Sequence, residues 1–304
     1  MKATWTAVNQ SELLQRSSHN VAVLGSKVYV FGGELKPRQP RDNDIFVLNT
    51  GDEEPTLATA TSAASAESRR PSPRVGSAVA KLGKKLYFFS GRGGEAMAPV
   101  DEQGVLWVFD TVESIWGLEC PGTAKVYPEA RSYHAMTSDG KNTLYIHAGC
   151  PEKDRLSDLW AYDVHKQEWE QLASAPEPSR GGPSIAYAGD GRLGPGARSV
   201  GALLPVNISG GTHLITFFGE SDPSSLGHQG AGKMLSDVWA YDITTGTWEQ
   251  IVAEVEGGKA PPAARGWFDA DVIETSTGEA VAVSGGLGEQ NERLGDTWLL
   301  TFAS

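Results

Sequence analysis

One recurrence constrains this chain more than any other feature. A short apolar run ending in small residues appears as KVYVFGG (27–33), KLYFFSG (85–91), TLYIHAG (143–149), HLITFFG (213–219) and AVAVSGG (280–286). Each is followed by a polar loop and then by a second run: DIFVLN (44–49), VLWVFD (105–110), DLWAYD (158–163), DVWAYD (237–242) and DTWLLT (296–301). In three repeats a tryptophan follows after a turn, at Trp116, Trp169 and Trp248. Apolar runs bounded by Gly and Asp turns read as strands. With 36 glycines and 17 prolines in 304 residues, long helices have little room.

Four strands per unit, a small-residue pair and a spaced aromatic resemble the kelch repeat of β-propellers. The fold expected is all-β, a single kelch-type propeller domain over residues 1–304. The last repeat lacks a fourth strand, and ATWTAV (3–8) stands unclaimed ahead of the first, so the N-terminal strand is expected to close the ring. The runs ending at Asp163 and Asp242 are too far apart for one blade and too close for two. Residues 177–196 between them read as a sixth blade reduced to a remnant, either a spacer or a lone strand, beside five complete blades. Residues 56–73, rich in Ala, Ser and Thr, read as a long mobile loop.

A formal charge of -12 and a pI of about 5.0 leave no broad basic face, which argues against nucleic acid and anionic membranes as partners. No run of 18 apolar residues exists to span a bilayer, and the N-terminus has no apolar h-region. Two cysteines make no disulfide framework. The compartment expected is reducing and cytoplasmic, which makes the sequon Asn207-Ile208-Ser209 incidental.

Propeller connectivity puts the start of each first strand and the loop between second and third strands at one end of the sheet. Arginines open the first strand in four repeats (Arg74, Arg131, Arg198, Arg265); the first repeat has His19 there and the remnant keeps Arg180. The loops open with Glu34, Arg92, Cys150, Glu220 and Leu287. Two readings compete. The arginines pair with carboxylates or carbonyls and hold blades in register, or they line an anion pocket beside Trp267.

The stretch SSHNVAVLGSKVYVFGGELKPRQPRDNDIFVLN (17–49), with ARSYHAM, GARSV, ARGW and the 217–242 region, resembles the plant specifier proteins and their fungal kelch relatives. That resemblance implies a six-bladed propeller using ferrous iron on an E-x3-D-x3-H loop, which diverts a thiohydroximate sulfate to nitriles and related products. Carried over, Glu220 and His228 match the loop, Ser224 stands where the family has Asp, and Asp222 is the nearest carboxylate. Arg74 and Arg131 match the pair holding the anionic end, and Trp267 the aromatic wall. Two oxygen ligands and an imidazole suit Fe(II) or Mn(II). Otherwise Asp222 caps the turn at Pro223 and His228 bonds a nearby backbone. His134 and His147, on strands near the axis, read as core histidines, and GAGK lacks phosphate-loop spacing. The function expected is a specifier-like, Fe(II)-dependent, non-redox lyase acting on a small anionic sulfur compound. The alternative is a kelch interaction module taking an acidic peptide on an arginine-lined rim.

Overall fold

The computed structural model describes residues 11–50, 56–60, 69–122, 126–173, 185–187, 193–222, 232–255, 260–275, 278–284, 286–292, 294 and 296–302. The chain forms two compact units, Met1–Thr123 with Glu129–Ser132, and Ala124–Pro128 with Tyr133–Ser304.

The first unit holds two four-stranded antiparallel sheets. One runs in chain order through Asn20–Leu24, Lys27–Phe31, Ile45–Asn49 and Thr56–Thr59. The other runs through Ala78–Leu82, Lys85–Phe89, Leu106–Asp110 and Ile115–Glu119. Residues 56–59 therefore belong to the first sheet, paired with the third strand from Phe46↔Thr59 to Asn49↔Thr56, which corrects the reading of 56–73 as one loop. Of the rest of that stretch, 61–68 lie outside the described residues.

The second unit holds four-stranded sheets Ala135–Ser138, Thr143–Gly149, Leu156–Asp163, Glu168–Ala173 and Ala202–Ile208, Gly211–Phe217, Val238–Asp242, Thr247–Ile251. A last sheet of Asp269–Thr275, Gly278–Ser284 and Thr297–Thr301 has three described strands. The expected closing strand, 3–8, lies outside the described residues. Such meanders of four antiparallel strands are propeller blades in form.

The second strand of each sheet is apolar without alternation because both faces are covered. Lys85–Phe89 is exposed at Lys85 and buried at its other four residues. In the first unit Tyr29, Phe31 and Ile45 of one sheet pack on Leu86, Phe88, Phe109 and Trp116 of the next. Trp116 stands 5.4 Å from Phe31 and 5.3 Å from Phe88, ring centre to ring centre, so the fourth-strand tryptophan wedges between sheets. Each such buried side chain contributes about 1.5–3 kcal/mol. In the second unit Trp248 does the same, 5.5 Å from His147 of the preceding sheet.

The aspartate that ends the third strand in three of the sheets has a local cause. Asp110, Asp163 and Asp242 each accept two backbone N–H groups of the following turn. Those bonds hold their carboxyls below the usual range.

The remnant differs from expectation. Ile185–Tyr187 pairs with Leu193–Pro195 as a hairpin, so a second strand does follow. Among the described residues this hairpin has no third or fourth strand. Gly149, ending the second strand of the third sheet, donates its N–H directly to Arg198 O at 2.8 Å, and Arg198 opens the next sheet. Among the described residues no helix is long and apolar enough to cross a membrane.

Candidate functional site

Every sheet is entered through the same local geometry. An arginine is followed two residues later by a left-handed residue: Ser18 (φ 55°), Gly76 (59°), Tyr133 (55°), Val200 (50°) and Trp267 (52°). Four of these five are not glycine, and a β-branched valine there is a strained choice. The register shows that Arg16, not His19, is the first repeat's arginine, since Ser17 bridges Glu34 as Ser199 bridges Glu220. The match of RSSH (16–19) with RSYH (131–134) carried that signal.

These arginines answer the competing readings. Arg74, Arg131, Arg198 and Arg265 are 0–1% exposed. Arg74 uses all five of its N–H donors within its own blade: Nε to Ser72 O, Nη1 to Ser90 O and Glu102, Nη2 to Ser72 Oγ and Glu102. Arg198 grips Asp237 with both arms, at 3.0 and 2.8 Å, and Arg265 grips Asp296 at 2.6 and 2.8 Å. Arg16 holds Asp42 in the same way. A tryptophan Nε1 donates to the same carboxylate in three sheets, Trp107 to Glu102, Trp239 to Asp237 and Trp298 to Asp296. Arg131 is buried with Nε on Glu129 O.

The expected anion clamp of Arg74, and the arginine-lined rim offered to an acidic partner by Arg74, Arg198 and Arg265, are therefore corrected. A guanidinium already bidentate to a carboxylate has no fork to offer a ligand. The arginine carbonyls hold the sheets together instead. Gly33, Gly91, Gly149 and Gly219 donate their N–H groups to the carbonyls of Arg74, Arg131, Arg198 and Arg265 at 2.8–2.9 Å.

The second unit brings a different set of groups together. Glu220 is 3% exposed; its Oε2 accepts from Arg155 Nη2 at 2.7 Å and its Oε1 from Gly232 N at 2.8 Å. Backbone pairing aligns Ser199, Glu220 and Met234 side by side. A Cβ on Gly266 would stand 2.8 Å from Val200 Cγ2 and 3.3 Å from Met234 Sδ, so the missing side chain admits both. Trp267, next in the chain, is 43% exposed. Val200 N donates to Tyr133 O and Trp267 N to Val200 O, both at 3.1 Å, which sets these three left-handed residues in a row. The edge thus joins a carboxylate, a guanidinium, a buried hydroxyl and an exposed indole.

Arg155 was not foreseen, because it belongs to no repeat position. Its Nε is buried without a partner, as is Ser199 Oγ. Arg180 and His228 lie outside the described residues. Asp222 is half-buried and pairs in register with Lys233. Among the described residues no three His, Cys, Asp or Glu side chains come together as a metal site. Of the expected ligands, the carboxylates of Glu220 and Asp222 are described, and both oxygens of Glu220 accept hydrogen bonds.

In the first unit Glu34 Oε2 accepts from Arg38 N at 2.7 Å, a loop cap. Arg92 Nε donates to Ser132 Oγ at 2.8 Å and Nη1 to Met97 O at 3.4 Å. His19 is half-buried, and burial followed by the Arg16 charge lowers its pKa. His147 is 1% exposed with Nδ1 3.0 Å from Asp158 O; a carbonyl only accepts, so Nδ1 carries the proton, as in a core histidine.

Known proteins resemble this chain to different extents. The chain is 27% identical to an N-(sulfonatooxy)prop-2-enimidothioate sulfolyase of Thlaspi arvense, over 95% of this chain and 93% of that protein. It is 29% identical to human Kelch domain-containing protein 3 over 55% of this chain and 42% of that one. Against Tip elongation aberrant protein 3 of Schizosaccharomyces pombe the identity is 26%, over 52% of this chain and 16% of the other. The family model described as the KLHDC2/KLHL20/DRC7 Kelch-repeats domain matches residues 18–196. With repeated four-stranded sheets and a match over more than half its length, the chain belongs to the kelch-repeat family.

Proposed function

We propose that this chain is a specifier-like kelch lyase acting on a small thioimidate that carries an N-linked sulfate. The observation that carries the reading is the match to the Thlaspi arvense sulfolyase along almost the whole of both chains. Relatives with other names match about half of this one.

The reacting edge is the one built on Glu220, Arg155 and Trp267. Sulfate leaves with the N–O electron pair; in the nitrile branch the C–S pair becomes the third C–N bond and sulfur departs uncharged. Charge grows on the departing oxyanion. Arg155, 14% exposed at its side chain, is the guanidinium that would meet it, unlike Arg74 with all its donors used. Trp267 offers an apolar face to the organic group and screens water from it. Glu220 and Asp222 are the described carboxylates that would hold ferrous iron here, where it would supply a Lewis acid to the substrate; no step above runs through it.

The test is product composition. A thiohydroximate sulfate is released from its glucoside with and without the protein, and organic products are separated by gas chromatography. Nitrile in excess of the protein-free control supports the lyase; identical product mixtures with and without protein refute it.

A further inference from the structure

The Ser199 hydroxyl is the unexplained group at this edge. Ser199 is 2% exposed and its Oγ has no partner. Leaving a buried hydroxyl unsatisfied is costly. Its surroundings follow from register. Ser199 and Glu220 exchange both backbone hydrogen bonds, Ser199 N to Glu220 O at 3.0 Å and Glu220 N to Ser199 O at 2.8 Å. Directly opposed residues project their side chains from one face, with Cβ atoms about 5 Å apart. The antiparallel bridge Leu156↔Arg198 sets Arg155 opposite Ser199, on that same face. Arg155, Ser199 and Glu220 are therefore three neighbours in a row, with the serine in the middle and only the outer two bonded to each other.

The corresponding place in the first unit is filled. Ser132 follows Arg131 as Ser199 follows Arg198, and its Oγ accepts Arg92 Nε at 2.8 Å. In the second unit the Ser199 hydroxyl has no such donor.

We propose that Ser199 is a positioning residue that takes over Glu220 when Arg155 leaves it. An oxyanion draws the Arg155 guanidinium off Glu220 Oε2, and the Ser199 hydroxyl turns to donate to the vacated oxygen. Glu220 keeps two hydrogen bonds throughout, so the guanidinium is released without stranding a buried carboxylate. No covalent bond changes. The inference rests on the reading of Arg155 as the group that meets the leaving anion, and it names the class of ligand that triggers the exchange, a tetrahedral oxyanion.

The experiment is titration calorimetry with inorganic sulfate in metal-free buffer, with ionic strength matched by chloride. Ser199→Ala is expected to weaken sulfate binding about tenfold, the loss of one hydrogen bond to a charged group. Its thermal midpoint stays level or rises, because an unsatisfied hydroxyl has been removed. Ser199→Thr, which keeps the hydroxyl, retains most of the affinity. Glu220→Gln weakens the hold on Arg155 and tightens sulfate binding, and in that background Ser199→Ala has little further effect. Equal affinity in wild type and Ser199→Ala overturns the exchange. A tenfold loss that persists in the Glu220→Gln background also overturns it, since the serine then touches the anion itself. Wild-type protein that binds no sulfate overturns it too, while product composition judges the lyase reading separately.

Discussion

Two blades of the second unit carry the same arginine–carboxylate–tryptophan cluster with unequal access to water, and this makes a quantitative prediction. Asp237 accepts two N–H groups of Arg198 at 3.0 and 2.8 Å and Trp239 Nε1 at 2.7 Å, with its side chain 4% exposed. Asp296 accepts Arg265 at 2.6 and 2.8 Å and Trp298 at 2.6 Å, with its side chain 39% exposed. Asp237→Ala leaves a sealed guanidinium without its counter-charge, a loss of about 3–5 kcal/mol, and strands an indole N–H for about 1 kcal/mol more. In Asp296→Ala water reaches the abandoned donors, so the loss falls to about 1–2 kcal/mol. Urea unfolding followed by far-ultraviolet circular dichroism measures both, the midpoint shift being read at an unchanged slope. Hydrogen-bond lengths alone would rank Asp296 as the costlier loss. If Asp296→Ala destabilises as much as Asp237→Ala, burial is not what sets the strength of these clusters.

Arg265, with lesser help from Trp298, holds the Asp296 carboxyl well below its ordinary value of 3.8. A depressed folded value means stability that is full above 3.8 and declines as pH falls below it, so the stability gap between wild type and Asp296→Asn narrows below pH 3.8 in acid titrations of the unfolding midpoint. Gly219 has φ 98° and a Cβ there would lie 2.7 Å from Ser199 O; Gly219→Ala is expected to cost about 2–4 kcal/mol by urea unfolding. Gly140, left-handed at φ 71° but facing open space, is expected to cost only about 1 kcal/mol on the same change. Trp267→Ala should leave the urea midpoint nearly unmoved, because the side chain is 43% exposed, while nitrile formation falls; a large stability loss with normal product composition would assign the indole to packing.

The fold was legible because its signals are local and repeated. Second-strand runs such as KLYFF and turn aspartates such as Asp110 state strand and turn at fixed spacing, and four-stranded sheets follow. The arginines were legible as a pattern but not as a role. Their partners, Glu102, Asp237 and Asp296, lie 28, 39 and 31 residues away, a separation that only register resolves. The first-repeat arginine was misplaced at His19 because the cue was the histidine, while Arg16 three residues earlier carried the geometry. Arg155 was invisible for the opposite reason. It repeats nowhere, and its partner Glu220 lies 65 residues on, so nothing in either local stretch marks the pair.

The glycine-to-arginine carbonyl bond recurs at four places among the described residues, whatever the length of chain that leads up to it. Gly149 meets Arg198 at 2.8 Å, the distance at which Gly91 meets Arg131, although the first of these connections also accommodates the 185–195 hairpin. A module running from one such arginine to the residue before the next can accordingly be excised or duplicated with compatible ends left on both sides, which makes this chain a natural substrate for blade-by-blade recombination.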